Sequence, residues 1–337
     1  MIRIAVVGIG WAGSRHVQAA DELKGRVSIT ALVDDDAEHL RSIAADLHSD
    51  ARLVTDLEEA LAAPDVDAVS ICTPHALHAP QAMRALEAGK HVLVEKPMAT
   101  SVGEADRMLA AADANDRRLY VAESAVYEPL TRAVRGLLDE QTIGAPLAAS
   151  FAQGFRAPDF GYDGRRRWLT VPELGGTGTW MLHGVHSVAR IRHVFGEIAA
   201  VYLAEHHGAS FRRTDLEGTM TGVLTTTDGL AVSIVQSCET QVPQSFSGFV
   251  VHGESGTLHG HGETVDIIRP DGVDRRAVET DGPNAFAREI EAFADYVETG
   301  RAGPTTGASE RQSLAVVEAG YESARSGRAV EVPAARA

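Results

Sequence analysis

The chain is poor in three things, and each scarcity excludes a class of protein. Cysteine occurs twice in 337 residues, as Cys72 and Cys238. No disulfide framework is implied, and a reducing compartment, the cytoplasm, is the expected setting. Long apolar runs are absent: none approaches the roughly 20 residues that a bilayer-spanning helix needs, which argues against a membrane partner. The opening run Ile2 to Val7 is short and glycine-broken, so it reads as a strand and not as a signal peptide. Basic charge is also scarce. The net charge is −16 and no basic run exceeds Arg165-Arg166-Arg167, which argues against nucleic acid or an anionic membrane surface. No internal repeat or low-complexity segment stands out. The remainder is ordinary for a globular protein, with 44% hydrophobic and 23% charged residues. The length suits two domains, each able to bury its own core.

The stretch that organises the chain is Met1 to His16. Ile2-Arg3-Ile4-Ala5-Val6-Val7 is a β-branched apolar run. Gly8-Ile9-Gly10-Trp11-Ala12-Gly13 follows at once, and then a helix-like segment. G-x-G-x-x-G between a strand and a helix is the context that gives this motif meaning. Gly8 takes the tight turn, Gly10 lets backbone approach a diphosphate, and Gly13 lets helix and strand pack closely. The helix N-terminus offers unpaired N–H groups to phosphate oxygens. About twenty residues on, the apolar run Val27 to Val33 ends in Asp34, where such folds place the ribose-binding carboxylate. That carboxylate favours NAD and repels the 2′-phosphate of NADP. A glycine turn in a βαβ unit that binds nothing is the plainer alternative.

Beyond Asp34, strands and helices alternate. Ala37 to Leu47 has helical spacing, and Thr55 to Glu59 reads as a helix start with Thr55 as cap. Val66 to Cys72 is a strand closed by Thr73-Pro74. A helix from about Pro80 to Ala88 ends at Gly89, and His91 to Val94 is a strand followed by Glu95-Lys96-Pro97. Helix Val102 to Asn115 and strand Leu119 to Ala122 complete the pattern. The alternation predicts a parallel, doubly wound sheet over residues 1–122. Ligands of such sheets bind at the carboxyl ends of the strands, where the glycine turn, Asp34, Thr73-Pro74 and Glu95-Lys96-Pro97 all fall. The pattern then changes, and 123–337 is expected to be a second, α+β domain. Helix Pro129 to Glu140 precedes strands Ala148 to Phe155, Ala199 to His206, Thr219 to Thr226, Leu230 to Cys238 and Phe249 to Gly253. Helices Ala285 to Glu298 and Ser309 to Ser326 close it. The turn Asp228-Gly229 points to antiparallel hairpins, so the second sheet is mixed or antiparallel.

Two places hold side chains suited to chemistry. Lys96, at the rim and fixed by a proline, can stabilise an alkoxide beside a nicotinamide; a solvated lysine paired with Glu95 is the alternative. On the helix starting near Thr179, His183, His186, Arg190 and His193 share one face, while Met181, Val185, Val188 and Phe195 lie on others. An imidazole stripe suits acid–base work near neutral pH. A solvated stripe, or a metal pair at His183 and His186, are the competing readings, and no third ligand is evident for a metal. Arg165-Arg166-Arg167-Trp168 could grip an anionic substrate or simply form a solvated turn. His252, His259 and His261 read as surface residues of a glycine-rich hairpin, and no metal is expected.

Taken together, these motifs resemble the Gfo/Idh/MocA family of nicotinamide-dependent oxidoreductases over nearly the whole chain. The resemblance rests on Gly8-x-Gly10-x-x-Gly13, Ile71-Cys72-Thr73-Pro74-x-x-x-His78 and Ala88-Gly89-Lys90-His91-Val92-Leu93-Val94-Glu95-Lys96-Pro97. Leu174-Gly175-Gly176 leading to Gly184-x-His186, Gly253-Glu254-Ser255-Gly256-Thr257-Leu258 and the closing helix pair extend it. It implies an N-terminal Rossmann domain and a C-terminal domain with a large open, mostly antiparallel sheet that carries a homodimer or homotetramer interface. It implies that Lys96 and His186 are catalytic. It implies dinucleotide contacts from Gly8, Gly10, Trp11, Ala12, Gly13, Asp34, Thr73, Pro74, His75, His78, Glu95 and Lys96, and substrate contacts from His183, Tyr127, Arg167 and Trp168. Where the family commonly has aspartates this chain has His183 and Ala189, where many members have Asn it has His75, and Ala125-Val126 replace an aromatic–Arg pair. A pocket that loses carboxylates and gains imidazoles suits a small-molecule substrate that is apolar or anionic, such as a cyclic dihydrodiol acid or a decorated sugar. A redox-neutral enzyme with tightly held NAD, and a non-catalytic metabolite sensor, stay open at this point.

Overall fold

The computed structural model describes all residues except 158–163, 209–210, 213, 244–245 and 335–337, and the side chains of 164–166 and 172. The chain forms two compact units. The first comprises Met1–Ser124 and Gly282–Arg311; the second comprises Ala125–Asp281 and Gln312–Ala337.

In the first unit the order is β1 (Ile2–Val7), α1 (Trp11–Glu22), β2 (Val27–Val33), α2 (Ala37–Asp46), β3 (Arg52–Val54), α3 (Leu57–Ala62), β4 (Ala68–Ile71), α4 (His75–Glu87), β5 (His91–Glu95), α5 (Val102–Ala114) and β6 (Leu119–Ala122). Every pairing is parallel, in the spatial order β3-β2-β1-β4-β5-β6. That is the doubly wound order with its switch point between β1 and β4. β1, β4, β5 and β6 are almost wholly buried, which is why they read as continuous apolar runs without alternation.

Two element boundaries differ from expectation. The cap of α3 is Asp56, whose carboxylate accepts the Glu58 N–H at 3.0 Å, and not Thr55. α4 begins at His75 with Pro74 as its N-cap, five residues before the expected start, and carries Pro80 inside it. Pro80 lacks only one N–H, so a single helical bond is forfeited there.

Another difference lies in domain membership. Helix α8 (Ala285–Thr299), expected in the second domain, belongs to the first unit. Its buried stripe Ala287, Ile290, Phe293 and Ala294 joins Ile4, Val6, Leu32, Leu93 and Tyr120 in one apolar core. Burial of a side chain such as Ile290 or Phe293 contributes about 1.5–3 kcal/mol, enough to draw the chain back to this core.

The second unit runs α6 (Pro129–Asp139), β7 (Pro146–Gly154), a π-helical turn Trp180–Gly184, α7 (Val185–Phe195), β8 (Ile198–His206), β9 (Thr219–Thr226), β10 (Ala231–Ser237), β11 (Gly248–Gly253), β12 (Gly256–His261), β13 (Thr264–Arg269) and β14 (Gly272–Ala277). α9 (Gly307–Ser326) bridges the chain from the first unit to the second, and β15 (Val330–Glu331) ends it. The described residues form a sheet in the order β14-β13-β12-β11-β7-β10-β9-β8-β15. It is antiparallel except where β10 runs parallel to β7. Burial alternates along β10, as expected of a sheet with one covered face. Met220, Leu224, Val232, Ile234, Phe151, Phe249, Val251, Leu258, Val265 and Ile267 are buried. Both cysteines are free. Among the described residues no helix is long and apolar enough to cross a membrane.

Candidate active site

The carboxyl rim of the parallel sheet is built around the glycine turn. Gly8 has φ +84°, and a Cβ there would lie 2.8 Å from the Cys72 carbonyl oxygen. A Cβ on Gly13 would lie 2.2 Å from the Gly8 oxygen. Glycine is therefore required at both positions for the turn to close. Asp34, half-buried at the end of β2, braces the same turn: its carboxylate accepts the Ile9 N–H at 3.0 Å and the Asp36 N–H at 3.2 Å. The N-terminus of α1 has no side-chain cap and no acidic residue in its first turn. Such an end favours an anion. These features fit a dinucleotide diphosphate and ribose. Trp11 is exposed and meets Phe286 of α8 edge-on at 5.9 Å.

Thr73 and Pro74 lie at the end of β4, with the Thr73 hydroxyl donating to Gln81 at 2.6 Å. His75 is buried and touches His78 edge-on at 5.6 Å. His78 has a structural place: it is 1% exposed, and its two nitrogens lie 2.8 Å from the Pro97 and Thr73 carbonyls. It ties the turn after β4 to the turn after β5. Burial pushes its imidazole below its ordinary pKa. Glu95 is buried too: its carboxylate accepts the Lys96 N–H at 3.1 Å and lies 3.3 Å from His16 Nε2. Lys96 itself is half-buried at the rim.

The histidine helix is built separately, in the second unit. Gly184 permits its π turn, since a Cβ there would meet the Trp180 ring at 2.3 Å. α7 ends at Gly196, φ +96°. Met181, Val185 and Val188 are buried as the periodicity required, and His183, His186, Arg190 and His193 are half-buried on another face. The stripe is divided in its contacts. His183 stands edge-on to Phe155 at 4.8 Å, with the His186 ring 6.4 Å away. Arg190 is committed to Glu128 at 2.5 Å. Burial, with Arg135 nearby, holds His193 below its ordinary pKa. Trp168 is half-buried against a small core of Leu169, Leu182, Phe211 and Cys238, and Phe155 packs on the same core. Arg167 is exposed and Tyr127 half-buried. The side chains of Arg165 and Arg166 lie outside the described residues.

The sequence reading missed what anchors this helix. Glu217, on the loop before β9, accepts the Trp180 N–H at 2.7 Å and the Tyr321 hydroxyl at 3.0 Å, and Tyr321 accepts the Met181 N–H at 3.1 Å. Burial pushes the Glu217 carboxyl up to about 7. Trp180 is fully buried and donates its ring N–H to the Val317 carbonyl. The hairpin histidines also differ from simple surface residues. His259, His261 and Asp266 bring their donor atoms within 4.8 Å of one another, but Arg275 grips Asp266 at 2.6 and 2.7 Å. The guanidinium already supplies the positive charge that a cation would bring there.

Comparison with known proteins shows the family. Residues 2–123 match the model of an oxidoreductase family with an NAD-binding Rossmann fold, and 131–259 match the GFO/IDH/MocA C-terminal domain. The chain belongs to the Gfo/Idh/MocA family of oxidoreductases. Similar family members include scyllo-inositol 2-dehydrogenase (NADP(+)) IolU of Bacillus subtilis (strain 168), 30% identical over 82% of this chain and 80% of that protein. The 1-carboxy-3-chloro-3,4-dihydroxycyclo hexa-1,5-diene dehydrogenase of Comamonas testosteroni is 35% identical over 70% of this chain and 58% of that one. Among solved structures, the WlbA dehydrogenase from Bordetella pertussis in complex with NADH and UDP-GlcNAcA superposes with a TM-score of 0.83 at 26% identity, covering 99% of both chains. As a Gfo/Idh/MocA protein the chain is an oxidoreductase whose relatives are dehydrogenases and reductases of sugars, polyols and cyclic dihydrodiols.

Proposed function

We propose that this oxidoreductase uses NAD in preference to NADP and acts on a secondary hydroxyl of a cyclic, polyol-like substrate carrying an anionic group. The observation that supports it most is the rim itself. The glycine turn, the Asp34 brace and Lys96 all stand at the carboxyl ends of β1, β2 and β5. Gly8, Gly10, Gly13 and Asp34, with Thr73 and Pro74, would hold the dinucleotide, whose nicotinamide supplies the hydride acceptor or donor when bound. Asp34 favours a free ribose hydroxyl pair over a 2′-phosphate by hydrogen bonding and by repulsion. Lys96 places an ammonium where negative charge develops on the substrate oxygen. His186 takes or returns the hydroxyl proton. His183 stands where relatives commonly carry a carboxylate, so an anionic group meets a donor there and no repulsion. The Comamonas relative, named for a carboxylated cyclic diol, agrees with this choice.

The nine-stranded sheet is assigned as a homodimer or homotetramer face. Tyr202, Ile268 and Val273 stand exposed on one side of it by register, and light scattering on the purified chain checks the assignment.

The decisive experiment follows NADH absorbance with cyclic diol carboxylates and sugar acids against neutral inositols and sugars. With the best substrate, Lys96→Ala is expected to lower turnover about 10²–10³-fold with NAD affinity nearly unchanged, the loss typical of one oxyanion donor. His186→Ala should lose roughly 10²–10⁴-fold in turnover and little in binding. Full activity in either variant refutes that residue's role.

A further inference from the structure

Behind Lys96, inside the first unit, lies a buried polar cluster that the proposed chemistry does not use. His16 of α1 is 1% exposed and Glu289 of α8 is 0% exposed. His16 Nδ1 is 2.7 Å from the Ser70 hydroxyl at the end of β4. Its Nε2 faces two carboxylates, Glu95 Oε1 at 3.3 Å and Glu289 Oε1 at 3.6 Å. The other oxygen of Glu95 accepts the Lys96 N–H at 3.1 Å. Neither oxygen of Glu289 has a hydrogen-bond partner among the described residues. Two carboxylates and one imidazole, with almost no water to screen them, cannot all be charged as they are in solution. A proton must be shared among them, and the shortest separations are those at Nε2.

We infer that His16, Glu95 and Glu289 are a positioning set for Lys96, in which one shared proton keeps the Glu95 carboxylate turned inward onto the Lys96 N–H. The idea rests on the proposed role of Lys96. With the proton in place, the imidazolium and the Lys96 N–H hold the Glu95 carboxylate inward. Without that proton the pull of the imidazolium is lost, and the carboxylate that fixes the start of the Lys96 turn is no longer drawn toward His16. Other groups face the cluster: Cys72 and Ser70 from the end of β4, Glu123 after β6, and Lys96 and His78 from the rim. Burial works against the imidazolium, but Cys72, Glu95 and Glu289 outweigh it and raise His16 well above its ordinary value. Burial raises Glu289 well above the carboxylate range; His16 and Lys96 oppose that, and Glu95 and Glu123 add to it. Both directions agree with a proton retained near neutral pH.

The test pairs a measurement on the cofactor-free protein with one on turnover. In histidine-labelled protein, the His16 resonance is assigned by its loss in His16→Gln, among 14 histidines. It should stay in the charged form from about pH 6 to about pH 8. In Glu289→Gln, which keeps the shape but removes the acid, His16 should begin to lose its proton inside that range. The same variant should melt no lower than wild type, lose roughly tenfold or more in kcat with KM for NAD little changed, and shift the alkaline limb of its rate profile to lower pH. Titration of His16 near its ordinary value in both proteins overturns the shared proton. A Glu289→Gln enzyme with unchanged kcat and pH profile, while Lys96→Ala is inactive, overturns the positioning role and leaves the role of Lys96 standing. An active Lys96→Ala removes the role of Lys96, and the positioning role falls with it, whatever His16 does.

Discussion

Glu217→Gln tests how the histidine helix is anchored. The carboxyl moves from its ordinary 4.5 to about 7 because burial penalises the ion, and the N–H of Trp180 and the hydroxyl of Tyr321 only partly offset that cost. Between those two values the folded chain holds a proton that the unfolded chain has released. Stability therefore falls as pH rises through that window, and is flat on either side. The gap between 4.5 and about 7, at about 1.4 kcal/mol per pH unit, comes to roughly 3 kcal/mol. Glutamine keeps the oxygen that accepts from Trp180 and Tyr321, and it never ionises. The variant should nearly match wild type at about pH 5 and exceed it by most of that amount at about pH 8. For a unit of this size that is a difference of roughly 6–12 °C in Tm. Scanning calorimetry on the full chain of both proteins, compared as a difference at each pH, cancels the titration of every other group. A difference that is constant with pH would refute the reasoning, since it would mean that Glu217 is ionised throughout and its burial is compensated by contacts not named above.

Asp34→Asn keeps one acceptor for the Ile9 N–H but removes the negative charge, so preference for NAD over NADP in a fluorescence titration should fall by roughly tenfold or more. Unchanged preference would mean that selection lies elsewhere. His183→Asp should raise KM for an anionic substrate by roughly tenfold through repulsion, with NAD affinity untouched, and should spare or improve a neutral polyol; steady-state kinetics on the two substrate types checks it.

Much of the architecture was legible because the physics that builds it is local. β1, β4, β5 and β6 are buried on both sides and so appear as unbroken apolar runs, from Ile2–Val7 to Leu119–Ala122, whereas the edge strand β3, exposed at Arg52 and Leu53, did not register as a strand. The glycines that must be glycine, Gly8 and Gly13, stand in a fixed spacing. The second sheet was harder to read. β12, β13 and β14 carry His259, His261, Arg275 and Arg276 on half-exposed or exposed positions, and the charged Asp266 on a buried one. Without clean apolar alternation they did not register as strands. Helix α8 was placed as an element but not in the right unit. Its apolar stripe says that it must be buried, and nothing in the stripe says against which core.

The same limit explains which site residues were visible. Local pattern made Lys96 a candidate, at a strand end followed by proline, and made the histidine stripe a candidate on one face of a helix; the family resemblance then singled out Lys96 and, within the stripe, His186. Glu217, Glu289 and His16 have no such pattern. Glu217 reads as a loop residue, Glu289 as a charged residue of an amphipathic helix, and His16 as the start of α1. Their significance comes from tertiary contact alone, when α8 returns to the core of the first unit and when the loop before β9 reaches the Trp180 turn. A buried carboxylate costs several kcal/mol unless something nearby answers it. Among the buried carboxylates, Glu217 accepts from the turn that opens the histidine helix, and Glu289 faces His16 together with Glu95, the residue before Lys96. Perturbed carboxylates cluster at functional sites for the same physical reason. Glu217 and Glu289 are therefore the positions whose substitution, with its pH dependence, tests the roles proposed for the histidine helix and for Lys96.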